Sequence, residues 1–382
     1  MSTTKGDNVV VAFLSVLLSV HMLFAVPRME LALTVPVETD LGVAGIRDSQ
    51  EVWLEMLKGA KTSIAIEQFY ITDQSGEPLR SVLDAIRERA EDGVAVRLIA
   101  DSKFFKTYPQ WVTEVGQYAN AEAKIIDFSP GIQHAKFFVV DHNDAFIGSQ
   151  NFDWRALKHI HELGIRTEDA GIAAKLEKIF ELDWKKAKSL KKTGNHEFKA
   201  PKDVATDPAL AFVASPAKAN PKGITSTIDA LSQIFKAAQS SIVIQVMDYS
   251  VQNGSEKSTW NVLDQAIRTS AGRGVKVQLL VDDKTRKNVT ALAGMKNVTV
   301  RTAKIPECSC GHIDYARLIH SKYLIADGKT AWIGTENWSR GYFFESRNVG
   351  VIVTDTTVVS QVSQIFEKIW RSPYVNPVSS SG

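Results

Sequence analysis

The sequence predicts an α/β fold made of two copies of one unit. Each unit is a mixed sheet flanked by helices, and a pseudo-twofold axis relates the two around one shared active site. Three observations predict this. The string HAKFFVVDHNDAFIGSQN at 134–151 returns as HSKYLIADGKTAWIGTEN at 320–337, 186 residues later. Flanking segments repeat with it: SIAIEQFYI with SIVIQVMDY, VLDAIRERAEDGVAVRLIADSK with VLDQAIRTSAGRGVKVQLLVDDK, LGIRTED with VGVIVTD. Within each copy, apolar runs rich in Ile and Val alternate with amphipathic stretches, the pattern of a parallel or mixed sheet with covering helices.

In chain order, helices are predicted over 49–60, 78–92, 225–239 and 258–271, and buried strands over 64–71, 94–100, 242–249 and 275–281. Each unit closes with a helical run ending near Trp, KLEKIFELDW and QVSQIFEKIW. The predicted boundaries are a leader at 1–44, unit 1 at 45–185, a Lys/Pro/Ala-rich linker at 186–222, unit 2 at 223–374 and a disordered tail at 375–382. The apolar run 9–26 has the length of a signal-peptide core or a short membrane anchor, so the chain is expected to be exported, cleaved or anchored. Such a segment also allows membrane association.

Composition narrows little. A net charge of +2 argues for no partner, and 44% hydrophobic residues fit an ordinary globular chain. The lysines between Lys185 and Lys202 read as a solvated helix end or as a basic surface for phosphates. Cys308 and Cys310, at i and i+2, are poorly spaced to bridge each other and read as free thiols in a loop.

Each repeated string supplies the same chemistry. His134 and Lys136, like His320 and Lys322, share one face of a strand because strand side chains alternate with a period of two. A turn and a second strand then return Asn151 or Asn337 beside them. Ser149 and Thr335 add hydroxyls, and Gly148 and Gly334 permit close approach. Two copies facing each other give two imidazoles, two fixed cations and two amides. That set suits a phosphodiester: lysines and asparagines hold the nonbridging oxygens, one neutral His attacks phosphorus, and one protonated His serves the leaving oxygen. The lysines take the place of a metal, so neither metal nor cofactor is expected. Glu162 and Glu345 are the candidates to orient the imidazoles. Trp154, Trp338 and Tyr342 are candidates for base stacking or for lining a lipid groove, and Phe104, Phe105, Tyr108 and Trp111 for a substrate rim or a membrane-contacting edge.

The template HxKxxxxDxxxxxxG(S/T)xN, present twice, resembles the signature of the phospholipase D superfamily over about residues 45–372. GSQNFDWRAL and the run 313–343 are similar to its group of lysosomal 5′ exonucleases and poxviral nicking-joining and envelope proteins. The resemblance implies two phospholipase-D-like α-β-α units and a phosphohistidine intermediate on His134, with His320 as acid. It further implies that Asp141 and Asp327 are structural and that Glu162 and Glu345 each support the His of their own copy. The expected activity is metal-independent phosphodiester cleavage of single-stranded nucleic acid. The alternatives are a phospholipase D or phosphatidyltransferase, and a non-catalytic envelope or binding protein. No obligate protein partner is implied.

Overall fold

The structure, a computed structural model, describes residues 29–190, 204–252 and 259–379. The apolar run 9–26, lysines 191–202 and the last three residues lie outside these. Among the described residues no helix is long and apolar enough to cross a membrane.

Two nine-stranded mixed sheets carry the chain. In the first, Ser63–Gln68, Ala95–Asp101 and Ala121–Ile126 run parallel. Phe137–Val140, Asp144–Gly148, Glu162–Thr167 and Met29–Thr34 continue the sheet antiparallel from Ser63–Gln68. The second repeats this order with Ser241–Val246, Lys276–Asp282 and Val298–Ala303, then Tyr323–Ala326, Thr330–Gly334, Asn348–Val353 and Leu210–Ser215. The fold is therefore α/β and duplicated.

Helices Ser49–Gly59 and Leu79–Glu91 pack on the outer face of the first sheet, and Thr227–Ala237 and Val262–Gly272 on that of the second. Between the sheets lie Ala170–Lys186 and Thr356–Trp370. Their Ile172, Leu176, Ile179, Val358, Val362 and Ile365 join Phe137, Ile147, Ile325 and Ile333 in one core shared by both halves. Burial on both sides explains why these strands read as continuous apolar runs.

Three predicted boundaries are corrected. Residues 1–44 are not wholly a leader, because Met29–Thr34 pairs with Glu162–Thr167. The stretch 186–222 is not wholly a linker, because Leu210–Ser215 occupies the matching place beside Asn348–Val353 and Lys188–Ser189 edges the first sheet. Both strands are as long as Ser63–Gln68, but they lie among polar neighbours outside the segments the repeat marks. The tail from 375 is not disordered at its start, since Val375–Pro377 pairs with Val298–Ala303 and covers that edge. Lys185 and Lys186 are exposed in the last turn of their helix, where they complement its dipole.

Cys308 and Cys310 are joined by a disulfide, which corrects the reading as free thiols. Their Cα atoms stand 5.1 Å apart, with the chain folded at the intervening Ser309. That separation lies within the range a disulfide spans.

Candidate active site

The repeated strings fold as hairpins. Asp141 and His142 (φ 51° and 61°), and Asp327 and Gly328 (φ 53° and 64°), open three-residue loops with two successive positive φ values. The motif Asp also turns its carboxylate onto the start of the neighbouring strand. Asp141 accepts from the amides of Lys61, Thr62 and Ser63 at 2.7–3.0 Å. Asp327 accepts from those of Gln239, Ser240 and Ser241 at 2.8–2.9 Å. Both carboxyls are held below their usual range despite partial burial, by these donors. They stand at the far end of the hairpin from the His.

Gly148 is required by packing. A Cβ there would lie 2.2 Å from Gln150 Oε1 and 2.9 Å from Gly164 Cα on the next strand. At Gly334 it would strike the Trp332 ring.

What unites the half-sites is a pair of contacts between the halves. His134 N donates to Arg347 O, and Arg347 N to Ile132 O, both at 2.9 Å. In the matching place His320 N donates to His161 O, and His161 N to Leu318 O, again at 2.9 Å. These crossings set each His beside the residue that follows His161 or Arg347. His320 Nδ1 meets Glu162 at 2.8 Å, and His134 Nδ1 meets Asn348 Oδ1 at 2.9 Å.

Each imidazole is thus oriented from the opposite copy, and two expectations are corrected. Glu162 supports His320 and not the His of its own string. Glu345 supports neither; partly exposed, it pairs with Arg340 at 2.5 Å. The missed residue is Asn348, and its signal was present: the 186-residue offset that relates the histidines carries 162 to 348.

Ser149 and Thr335 are also corrected from substrate contact to support. Fully buried, Ser149 Oγ donates to Glu162 Oε2 at 2.5 Å, and Thr335 Oγ1 donates to Asn348 Oδ1 at 2.9 Å. Asn348 Nδ2 donates to Tyr342 O at 2.8 Å, which fixes the amide so that its oxygen faces His134. His134 therefore carries its proton on Nδ1 and presents a lone pair on Nε2. Glu162 instead lets the His320–Glu162 pair hold one proton between them.

The two histidines, Asn151 and Asn337 line one cavity of about 420 Å³. Lys136 and Lys322 lie buried beside them, each donating to the carbonyl of its own His, Lys136 at 2.7 Å. The side-chain oxygens of Asn151 and Asn337 are buried without a partner among the described residues.

Burial, then the lysine charges, holds both imidazoles well below the usual histidine range. Burial lowers Lys136 strongly and Lys322 to about 7, and raises Glu162 to about 7. The empty pocket resists further positive charge, and an anionic substrate relieves that.

Tyr342 lines the cavity with its ring 4.8 Å from that of His134. Trp338 does not: it is buried against Phe235 and Tyr249, a correction that follows from its lying on the core side of the strand end. Trp154 lines a neighbouring groove that shares Tyr108 and Arg155 with the cavity. The predicted aromatic rim divides. Phe104 and Tyr108 stack on Tyr70 at 5.6 and 5.2 Å and face the cavity. Phe105 packs on the core, and Trp111 is buried under Arg80.

Comparison with known proteins agrees with this architecture. The family model described as cardiolipin synthase, PLD-like domain, matches residues 53–184 and 231–370. The 5′-3′ exonuclease PLD3 of Bos taurus is 30% identical over 377 residues, covering 87% of this chain and 76% of that protein. The 5′-3′ exonuclease PLD4 of Mus musculus is 29% identical over 376 residues, 85% of this chain and 74% of its own. Among solved structures, phosphatidylserine synthase of Haemophilus influenzae superposes with a TM-score of 0.66 at 14% identity, over 86% of this chain and 84% of that one; it shares the fold. With both halves matched and both site strings intact, the chain belongs to the PLD-like domain family of the phospholipase D superfamily.

Proposed function

We propose that this chain is a phosphodiesterase that cleaves single-stranded nucleic acid through a phosphohistidine on His134, without a metal. The observation that carries the mechanism is the unequal support of two histidines in one cavity, an amide for His134 and a carboxylate for His320. His134 Nε2 attacks phosphorus, and His320 gives its proton to the departing oxygen. Water then attacks the phosphorus–nitrogen bond, its proton passes to His320, and His134 is released. Lys136 and Lys322 each keep two N–H bonds free of their backbone contact to hold the nonbridging oxygens.

The substrate follows from the rim and from the relatives. Tyr70, Phe104 and Tyr108 form a stacked wall, and Tyr315, 72% exposed, stands at the mouth with Arg155 beneath it at 5.8 Å. Flat aromatics beside a cation suit bases of any sequence, and the relatives named above are exonucleases. Ile160, Met247 and Leu318 also line the cavity and suit an acyl chain, which favours phospholipid as the second reading. The apolar run 9–26 supports export.

One assay separates these. Purified protein in EDTA is offered 5′- and 3′-labelled single-stranded DNA beside phosphatidylglycerol vesicles with ethanol. Shortened oligonucleotides with intact lipid are expected. Phosphatidylethanol with intact DNA overturns the nucleic-acid reading, and activity that EDTA abolishes and a divalent metal restores overturns the lysine clamp.

The pH dependence has a defined sign. Below about 7 Lys322 is charged and the His320–Glu162 pair holds its proton; both are lost as pH rises through about 7. His134, lowered by burial, stays neutral well into the acid range. With two protons lost near the same pH, we expect kcat/KM to fall above pH 7 with a limiting slope of about a hundredfold per unit. A profile that rises between pH 7 and 9 contradicts the assignment.

A further inference from the structure

Beside the cavity, the turn that carries Cys308 and Cys310 in the second half lies against His159 in the first. A ring nitrogen of His159 and both sulfurs lie within 4.8 Å of one another. His159 is 2% exposed, and its Nδ1 is buried with no hydrogen-bond partner among the described residues. An unsatisfied buried imidazole nitrogen is rare, because it forfeits its hydrogen bond to water.

The surroundings hold these three residues in place. Arg317 N donates to His159 O at 3.0 Å, while Arg317 Nε reaches Pro306 O at 2.6 Å and Nη1 reaches Val37 O at 2.9 Å. Glu38 accepts from both the amide (2.8 Å) and the hydroxyl (2.5 Å) of Ser309, between the two cysteines.

We propose that, with the disulfide reduced, Cys308, Cys310 and His159 bind one divalent cation of the zinc class. Two thiolates and an imidazole form a common zinc donor set, with a fourth position left to water. Tetrahedral bonds of about 2.3 Å to sulfur and 2.0–2.1 Å to nitrogen place the donors about 3.5–3.8 Å apart. Opening the disulfide therefore needs a shift of under about 2 Å at the sulfurs, one of which, on Cys310, is on an exposed residue.

The two states differ mechanically. The disulfide closes a single turn, whereas the cation would tie that turn to the first half. The segment between Cys310 and His320 supplies Tyr315 and Leu318 to the catalytic cavity, and Asp314 O accepts from Arg155 Nη1 at 3.0 Å. The bound cation would thus brace one wall of that cavity. This site stands independently of the substrate assigned above.

The reaction balances with a trialkylphosphine. It becomes the phosphine oxide with oxygen from water and leaves two thiols, and metal binding then expels the two thiol protons. The test titrates the phosphine-reduced full chain with Co²⁺ and follows thiolate-to-cobalt absorption and thermal melting. We expect one equivalent bound with a sulfur charge-transfer band, displacement by Zn²⁺ and a raised Tm. No band is expected from the oxidised protein or from Cys310→Ser, and at least tenfold weaker binding from His159→Ala. Absence of the band when two free thiols are titrated overturns the site. So does equal binding by His159→Ala, which would mean a dithiol chelate alone. Loss of the far-UV circular dichroism on reduction also overturns it, because the site needs His159 in its folded position.

Discussion

Replacing His134 by Ala is expected to reduce turnover on the order of 10⁵-fold, because the other imidazole in the cavity, His320, is held to the acid role by Glu162. His320→Ala is expected to cost less, about 10²–10⁴-fold, the usual weight of a general acid. The leaving group separates the two roles. A p-nitrophenyl phosphodiester departs without needing a proton, so it should restore formation of the intermediate in His320→Ala and leave His134→Ala inactive. Glu162→Gln should follow His320→Ala in this respect, since it acts through that ring at 2.8 Å. Acid-quenched, phosphate-labelled protein provides the direct reading: label on His320→Ala and none on His134→Ala. Recovery of His134→Ala by the activated substrate would reverse the assignment.

The second large effect is on stability. Arg347 and Asp183 are both fully buried and pair at 2.6 and 3.0 Å, one from each half. Arg347 also donates to the carbonyls of Ser215 and Ala219 and to Asn220 Oδ1. Asp183→Ala leaves a guanidinium buried without its counter-charge, a change worth about 3–5 kcal/mol. Glu67, kept neutral by burial and by Asp183, can ionise and offset part of this, which places the expectation at the low end of about 3 kcal/mol. Denaturant midpoints of the two proteins check it. Because Arg347 sits between the backbone contact to His134 and the orienting Asn348, activity is expected to fall as well. An unchanged midpoint would mean that the contact between the halves is maintained elsewhere.

Much of this protein is legible in its sequence because duplication prints the same constraints twice. His134, Lys136 and Asn151 recur 186 residues on as His320, Lys322 and Asn337, and a chance string does not do this. The helices and central strands are legible because burial imposes periodicity on stretches long enough to show it. The strands Met29–Thr34 and Leu210–Ser215 escaped because, at the sheet margin, they lie outside the repeated segments and among polar neighbours. The disulfide escaped because spacing in sequence does not reveal the local fold at Ser309 that leaves the two Cα atoms 5.1 Å apart.

The chemistry was therefore determined by sequence, and the division of labour by tertiary structure. Residue types and spacing supply two imidazoles, two ammonium groups and two amides on paired hairpins. Which acceptor meets which ring depends on the chain crossing between halves at Gln133–Arg347 and at His161–Ile319. Those crossings hand Glu162 to His320 and Asn348 to His134, and they leave Glu345 at the surface with Arg340. A repeat in sequence constrains each half alone. The contact that makes the two histidines unequal exists only once the halves are packed, because hydrogen bonds form between neighbours in space.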